Sequence, residues 1–105
     1  MISLDKIRND LKDIRYYYSR RNFFKDELPK IGGNKILEIA EQYNKAICLA
    51  PPRLYDLYAC LYIENGTQES VAEYLGYSPE YIRMLNKKLL KYFQEYLDKF
   101  GNTIA

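Results

Sequence analysis

The stretch TQESVAEYLGYSPEYIRMLNKKLL, residues 67–90, decides the fold. Thr67 can cap a short helix over residues 68–75, its hydroxyl accepting from an otherwise unpaired amide of the first turn. Gly76 then supplies a left-handed or tightly turned residue that no side chain would obstruct. Ser78 can cap the next helix, and Pro79 occupies its first position, where a missing N–H costs nothing. Val71 and Leu75 face inward from the first helix, and Ile82 and Leu85 from the second. Ala72 is small where the second helix must pass, and Tyr77 comes directly after the turn. Helix, tight turn, helix is the helix-turn-helix pattern, whose second helix is placed to enter a DNA major groove.

The surrounding chain reads as helical throughout. Leu4, Ile7, Leu11, Ile14 and Tyr18 form a narrow apolar seam, with Asp5, Lys6, Arg8, Asp10, Lys12 and Asp13 between them. The seam covers about two heptads, too short for a free-standing coiled coil, so it must pack on this domain or on a second copy. Pro29, Gly32 and Gly33 make a break, with Asn34 as a plausible N-cap for a second helix. In that helix Ile36, Ile39, Ala40, Tyr43 and Ile47 share a face. Pro51 and Pro52 end it and start a third, whose buried face is Leu54, Leu57, Tyr58 and Leu61 and whose stop is Asn65-Gly66. No strand-like alternation, repeat or low-complexity tract is present. The expected architecture is all-α: an N-terminal helical segment, residues 1–50, for packing or dimerisation, and a helix-turn-helix unit, residues 51–101, forming one domain together.

The helix that starts at Pro79 keeps its pattern to Phe100, with Gly101 as the stop, a length of about 33 Å. Leu89, Phe93, Tyr96, Leu97 and Phe100 extend its apolar strip beyond the turn motif. That strip needs a partner, either the N-terminal helices of the same chain or those of a twin.

The run T-x-E-x-V-A-x-x-L-G-x-S-x-E-x-I-R-x-x-x-K-K-x-L, carried here by Thr67, Glu69, Val71, Ala72, Leu75, Gly76, Ser78, Glu80, Ile82, Arg83, Lys87, Lys88 and Leu89, resembles region 4 of the bacterial sigma-70 family. It is also similar to small sigma-region-4-like regulators of phages and prophages, of the ArpU and RinA types. The resemblance covers residues 52–93 and implies a DNA-binding transcriptional regulator. Pro79, Tyr81 and Met84 stand where sigma factors usually carry basic or amide side chains, so the target need not be a −35 element. The chain has no room for the further domain that a complete sigma factor needs.

Arg83, Lys87 and Lys91 recur every four residues opposite the apolar seam and form a basic stripe. Pro79, Glu80, Tyr81, Arg83 and Met84 occupy the part of a recognition helix that reaches base edges, with Arg83 suited to a guanine and Glu80 to a cytosine amine. Thr67, Gln68, Ser78, Lys87, Lys88 and Lys91 are candidates for phosphate contacts, which position without specifying sequence. The plain alternative is a solvated lysine face. Arg15, Arg20, Arg21 and Lys25, around Tyr16, Tyr17 and Tyr18, could add an auxiliary aromatic and basic surface, although tyrosines with the ring inside and the hydroxyl at water explain that cluster more simply.

Net charge is +2, unevenly shared: ten Lys/Arg face seven Asp/Glu over residues 1–49, and six face seven over residues 50–105. A C-terminal half at −1 implies few phosphate contacts per monomer, which a homodimer on two half-sites would offset. The two cysteines and the absence of histidine point to no metal site and to a reduced, cytoplasmic protein. The charged first helix is no signal peptide, and no apolar run suggests a membrane span. With no histidine base and no nucleophile setting, neither an enzyme nor a cofactor is expected. The expected partner is double-stranded DNA. Two rivals remain: a protein-binding module on the same scaffold that inhibits a host RNA polymerase or defence nuclease, and a small DNA-binding terminase subunit.

Overall fold

The computed structural model describes residues 2–21 and 33–100, with side chains over 2–19 and 36–100. Among the described residues five α-helices succeed one another: α1 (Leu4–Arg21), α2 (Gly33–Ile47), α3 (Pro52–Tyr58), α4 (Gln68–Leu75) and α5 (Pro79–Phe100). Among the described residues there is no strand. All five helices bury residues in one apolar cluster, from Ile7, Leu11 and Ile14 on α1 to Leu89, Leu90, Phe93 and Leu97 on α5. Both strips that the sequence leaves in search of a partner are thus covered within one chain. Leu4 and Phe100, at the ends of those strips, stay exposed.

α3, α4 and α5 start where their local signals place them. α3 opens on Pro51 and Pro52, with Leu54 N–H donating to the Pro51 carbonyl at 3.0 Å, and buries Leu54, Leu57 and Tyr58. α2 buries Ala40, Tyr43, Ala46 and Ile47, while Ile36 and Ile39 are half-buried. It begins at Gly33, so Asn34 lies inside the first turn and not at its cap. The chain's start folds back on the far end of α5: Ile2 N–H donates to Asp98 Oδ1 at 2.7 Å, and Gln94 Nε2 to the Ile2 carbonyl at 2.9 Å.

Two further features depart from the sequence expectations. α3 continues into a π-helical turn, Ala59–Ile63, in which Glu64 N–H reaches back five residues to the Ala59 carbonyl at 2.9 Å. A π turn carries one extra residue and rotates the chain beyond it by about 100° relative to an α-helix. Tyr62, within this turn, donates its hydroxyl to Asn86 Oδ1 of α5 at 2.8 Å. Asp10, which the apolar spacing places among the solvent residues of α1, is only 5% exposed. Its carboxylate accepts from Lys6 Nζ one turn away and from the buried Tyr43 hydroxyl of α2 at 2.7 Å, which pairs the charge that burial would otherwise penalise.

Several of the tyrosines obey the same logic of apolar ring and tethered hydroxyl, whereas Tyr16, Tyr55 and Tyr74 stand exposed. Tyr58 donates to Asn44 Oδ1 at 2.7 Å, Asn44 Nδ2 donates to Tyr18 Oη at 3.0 Å, and Tyr92 donates to the Ala46 carbonyl at 2.6 Å. Burial raises the pKa of Tyr43 and Tyr58 far above the usual tyrosine value, and the neighbouring Asp10 carboxylate raises that of Tyr43 further.

Candidate nucleic-acid interface

Local chemistry fixes α4, the turn and α5. Thr67 Oγ1 accepts from Ser70 N–H at 3.0 Å while Ser70 Oγ accepts from Thr67 N–H at 3.0 Å, a reciprocal cap with serine in the place usually held by Glu or Gln. The amides left at this helix start are those of Gln68 and Glu69. Gly66, just before the cap, is a site of close approach. A Cβ there would stand 2.8 Å from Val71 Cγ2 and 2.9 Å from the Cys60 carbonyl.

At the other end of α4, Gly76 takes φ +77°, Tyr77 N–H donates to the Ala72 carbonyl at 2.8 Å and Gly76 N–H to Glu73 at 3.3 Å. This pair of bonds closes the helix as a Schellman motif, which requires the left-handed residue. Ser78 Oγ then accepts from Tyr81 N–H at 3.2 Å, and α5 starts at Pro79. A turn of Gly76, Tyr77 and Ser78 therefore joins two helices that pack through Val71, Ala72, Ile82 and Leu85, all buried.

With that inner face covered, α5 presents Pro79, Glu80, Arg83, Met84, Lys87, Lys88 and Lys91 to solvent. Arg83 Nη2 lies 3.6 Å from Glu80 Oε1, with both side chains more than half exposed. Such a surface pair is worth little and leaves the guanidinium free to exchange partners. None of the described ion pairs involves Lys87, Lys88 or Lys91. Of the candidate phosphate ligands at the turns, Thr67 and Ser78 are exposed and Gln68 is half-buried, with the two hydroxyls serving as caps.

Tyr81 differs from its neighbours. Its ring is half-buried and meets Tyr77 edge-on at 4.8 Å between centroids, and its hydroxyl accepts from Arg53 Nη1 at 2.7 Å. Arg53, on the first turn of α3, is a member of this surface that sequence reasoning missed. It lies 28 residues from its partner, and an arginine after two prolines carries no local signal of the contact.

The auxiliary set is divided. Arg15 bridges to the turn before α4, with Nε on Asn65 Oδ1 and Nη2 on the Asn65 carbonyl, both at 3.3 Å, where Asn65 itself has φ +61°. Tyr17 is buried, Tyr18 is tied to Asn44, and Tyr16 is exposed. Arg20 and Arg21 belong to the last turn of α1 but their side chains lie outside the described residues, as does Lys25 altogether.

Among the described residues no group of three or more His, Cys, Asp or Glu is placed to hold a metal ion, and no helix is long and apolar enough to cross a membrane. Cys48 and Cys60 are free thiols, and burial with the nearby Glu64 and Asp56 carboxylates pushes the Cys60 thiol up, away from thiolate chemistry. No family model, no curated protein and no solved structure matches the chain.

Proposed function

We propose that the protein is a sequence-reading DNA-binding regulator, with α4 and α5 as its helix-turn-helix and α5 as the helix that enters the major groove. The observation that carries this reading is the outward face of α5. Its first turns expose Glu80, Arg83 and Met84, and the turns behind them expose Lys87, Lys88 and Lys91, which have no carboxylate partner among the described residues. In this arrangement the front of the helix reads bases and the lysines hold phosphates. The amides of Gln68 and Glu69 at the start of α4 would add a phosphate contact, which the Glu69 side chain opposes.

Three lysines per chain correspond to a salt slope of about −2.7 in log K against log salt. That is too few for tight binding by one copy, so two copies on two half-sites about one helical turn apart complete the proposal. The apolar strips of α1 and α5 are already buried within the chain, so such a pair would meet through other surfaces.

Arg83→Ala tests the placement of the reading helix. It should remove preference among sequences by about 1–3 kcal/mol while the fold stays intact. Unchanged selectivity would displace α5 from the groove.

A second reading has its own support. Tyr74 on α4 is 80% exposed and Met84 is 42% exposed, large groups that a protein partner would cover and a phosphate backbone would not use. In that reading the same scaffold grips a host protein, and the protein would retain no duplex even at low salt.

A further inference from the structure

We infer that Arg53, outside the turn motif, is a phosphate ligand of the same DNA surface and that Tyr81 is the residue that positions it. The inference rests on the proposed DNA-binding role of α5. Arg53 is exposed on the first turn of α3, and its Nη1 donates to Tyr81 Oη at 2.7 Å. None of the described ion pairs includes it, whereas the arginine nearest the tip of α5, Arg83, shares its charge with Glu80 at 3.6 Å. Among the described residues, Arg53 is thus the cation without a carboxylate partner at the end of α5 that enters the groove.

A guanidinium carries five N–H donors, and the bond to Tyr81 uses one of them. The rest remain for a phosphate, which the planar fork matches better than an ammonium does. The tether also reduces what the side chain loses on binding, because Tyr81 is itself held edge-on against Tyr77 at 4.8 Å and packs on the core. The lysines lie further along α5: Lys87 is six residues from Tyr81, about 9 Å along the axis, and Lys91 ten residues, about 15 Å, so Arg53 and Lys91 would hold the duplex at two separated points.

This arrangement also gives Tyr81 a role other than base contact. Its ring and hydroxyl are directed at Tyr77 and Arg53, so it acts on DNA through Arg53.

The test is titration of a duplex containing the selected site, and of an unrelated duplex, by the full chain and its variants at several salt concentrations. Arg53→Ala should weaken binding about tenfold on both duplexes near 0.1 M salt, and reduce the salt slope by about 0.9. Arg53→Lys should restore the slope. Tyr81→Phe should weaken binding in the same direction, and adding it to Arg53→Ala should cause no further loss. Arg53→Ala with wild-type affinity and slope would overturn the inference while leaving the DNA reading standing. A loss confined to the selected site would also overturn it, since that marks a base contact. If the wild-type chain retains neither duplex at low salt, the DNA reading fails and this inference fails with it.

Discussion

Two glycines flank α4, and each is required for a different physical reason. At Gly76 nothing lies within 4 Å of a would-be Cβ, but φ is +77°. Gly76→Ala should therefore cost only the left-handed penalty, about 1–2 kcal/mol, and Gly76→Asn less, because asparagine tolerates that region. At Gly66 the obstacle is contact: Val71 and the Cys60 carbonyl would both stand inside 3.0 Å of a Cβ. Gly66→Ala should cost about 1–3 kcal/mol by overpacking, and Gly66→Asn should be no better tolerated than alanine. Denaturant titrations of the four variants check the contrast; equal recovery by asparagine at both sites would contradict it. The sequence discloses the first case and hides the second. Thr67, Gly76, Ser78 and Pro79 act on backbone within three or so residues, so their roles are legible in a short window. Gly66, Asp10 and Arg53 are defined by groups brought close only by folding, such as Tyr43, 33 residues from Asp10.

The helices themselves are legible for the same reason, because a repeated apolar spacing marks a face whatever later covers it. Leu54, Leu57, Tyr58 and Leu61 are all buried as their spacing implies, and α5 runs from Pro79 to Phe100 as its pattern indicates. The π turn at Ala59–Ile63 has no such signature, since the apolar spacing across it suits an ordinary helix equally well. Between elements the tyrosine bonds act as pins, and they give the fold an alkaline limit. Burial keeps Tyr43 and Tyr58 protonated in the native chain, while in the unfolded chain tyrosines lose their protons near pH 10. Below that pH both states hold the proton and these groups add no pH dependence. Above it the unfolded state binds fewer protons, so stability falls as pH rises, by about 1.4 kcal/mol per pH unit for each such tyrosine. Stability measured across that range by far-UV circular dichroism should fall less steeply in Tyr58→Phe than in the wild type. An unchanged slope would mean that Tyr58 ionises in the native state.

At the scale of the molecule, α5 is both the outward helix and the centre of the core. Leu89, Phe93 and Leu97 are buried in the cluster that α1 and α2 complete, and Ile2 is bonded to Asp98 and Gln94. The segment 51–101 should therefore not fold cooperatively alone. A fragment that starts at Pro51 should show little helical signal and no sharp melting transition, and a fragment that melts like the full chain would contradict the packing described here. Apolar spacing leaves open whether the strips of α1 and α5 meet within one chain or between copies, because it defines a face but not the surface opposite.

The central claim is that the exposed face of α5 holds DNA, and one measurement addresses it most directly. Purified protein is titrated against a pool of double-stranded DNA at two salt concentrations, beside its Lys87→Ala variant, with the mass of the bound species recorded. Sequence-selective retention that weakens with salt is predicted, on a complex of two protein copies, each losing a slope of about 0.9 with Lys87→Ala. Retention of no duplex at low salt, or a slope indifferent to Lys87, would contradict the account.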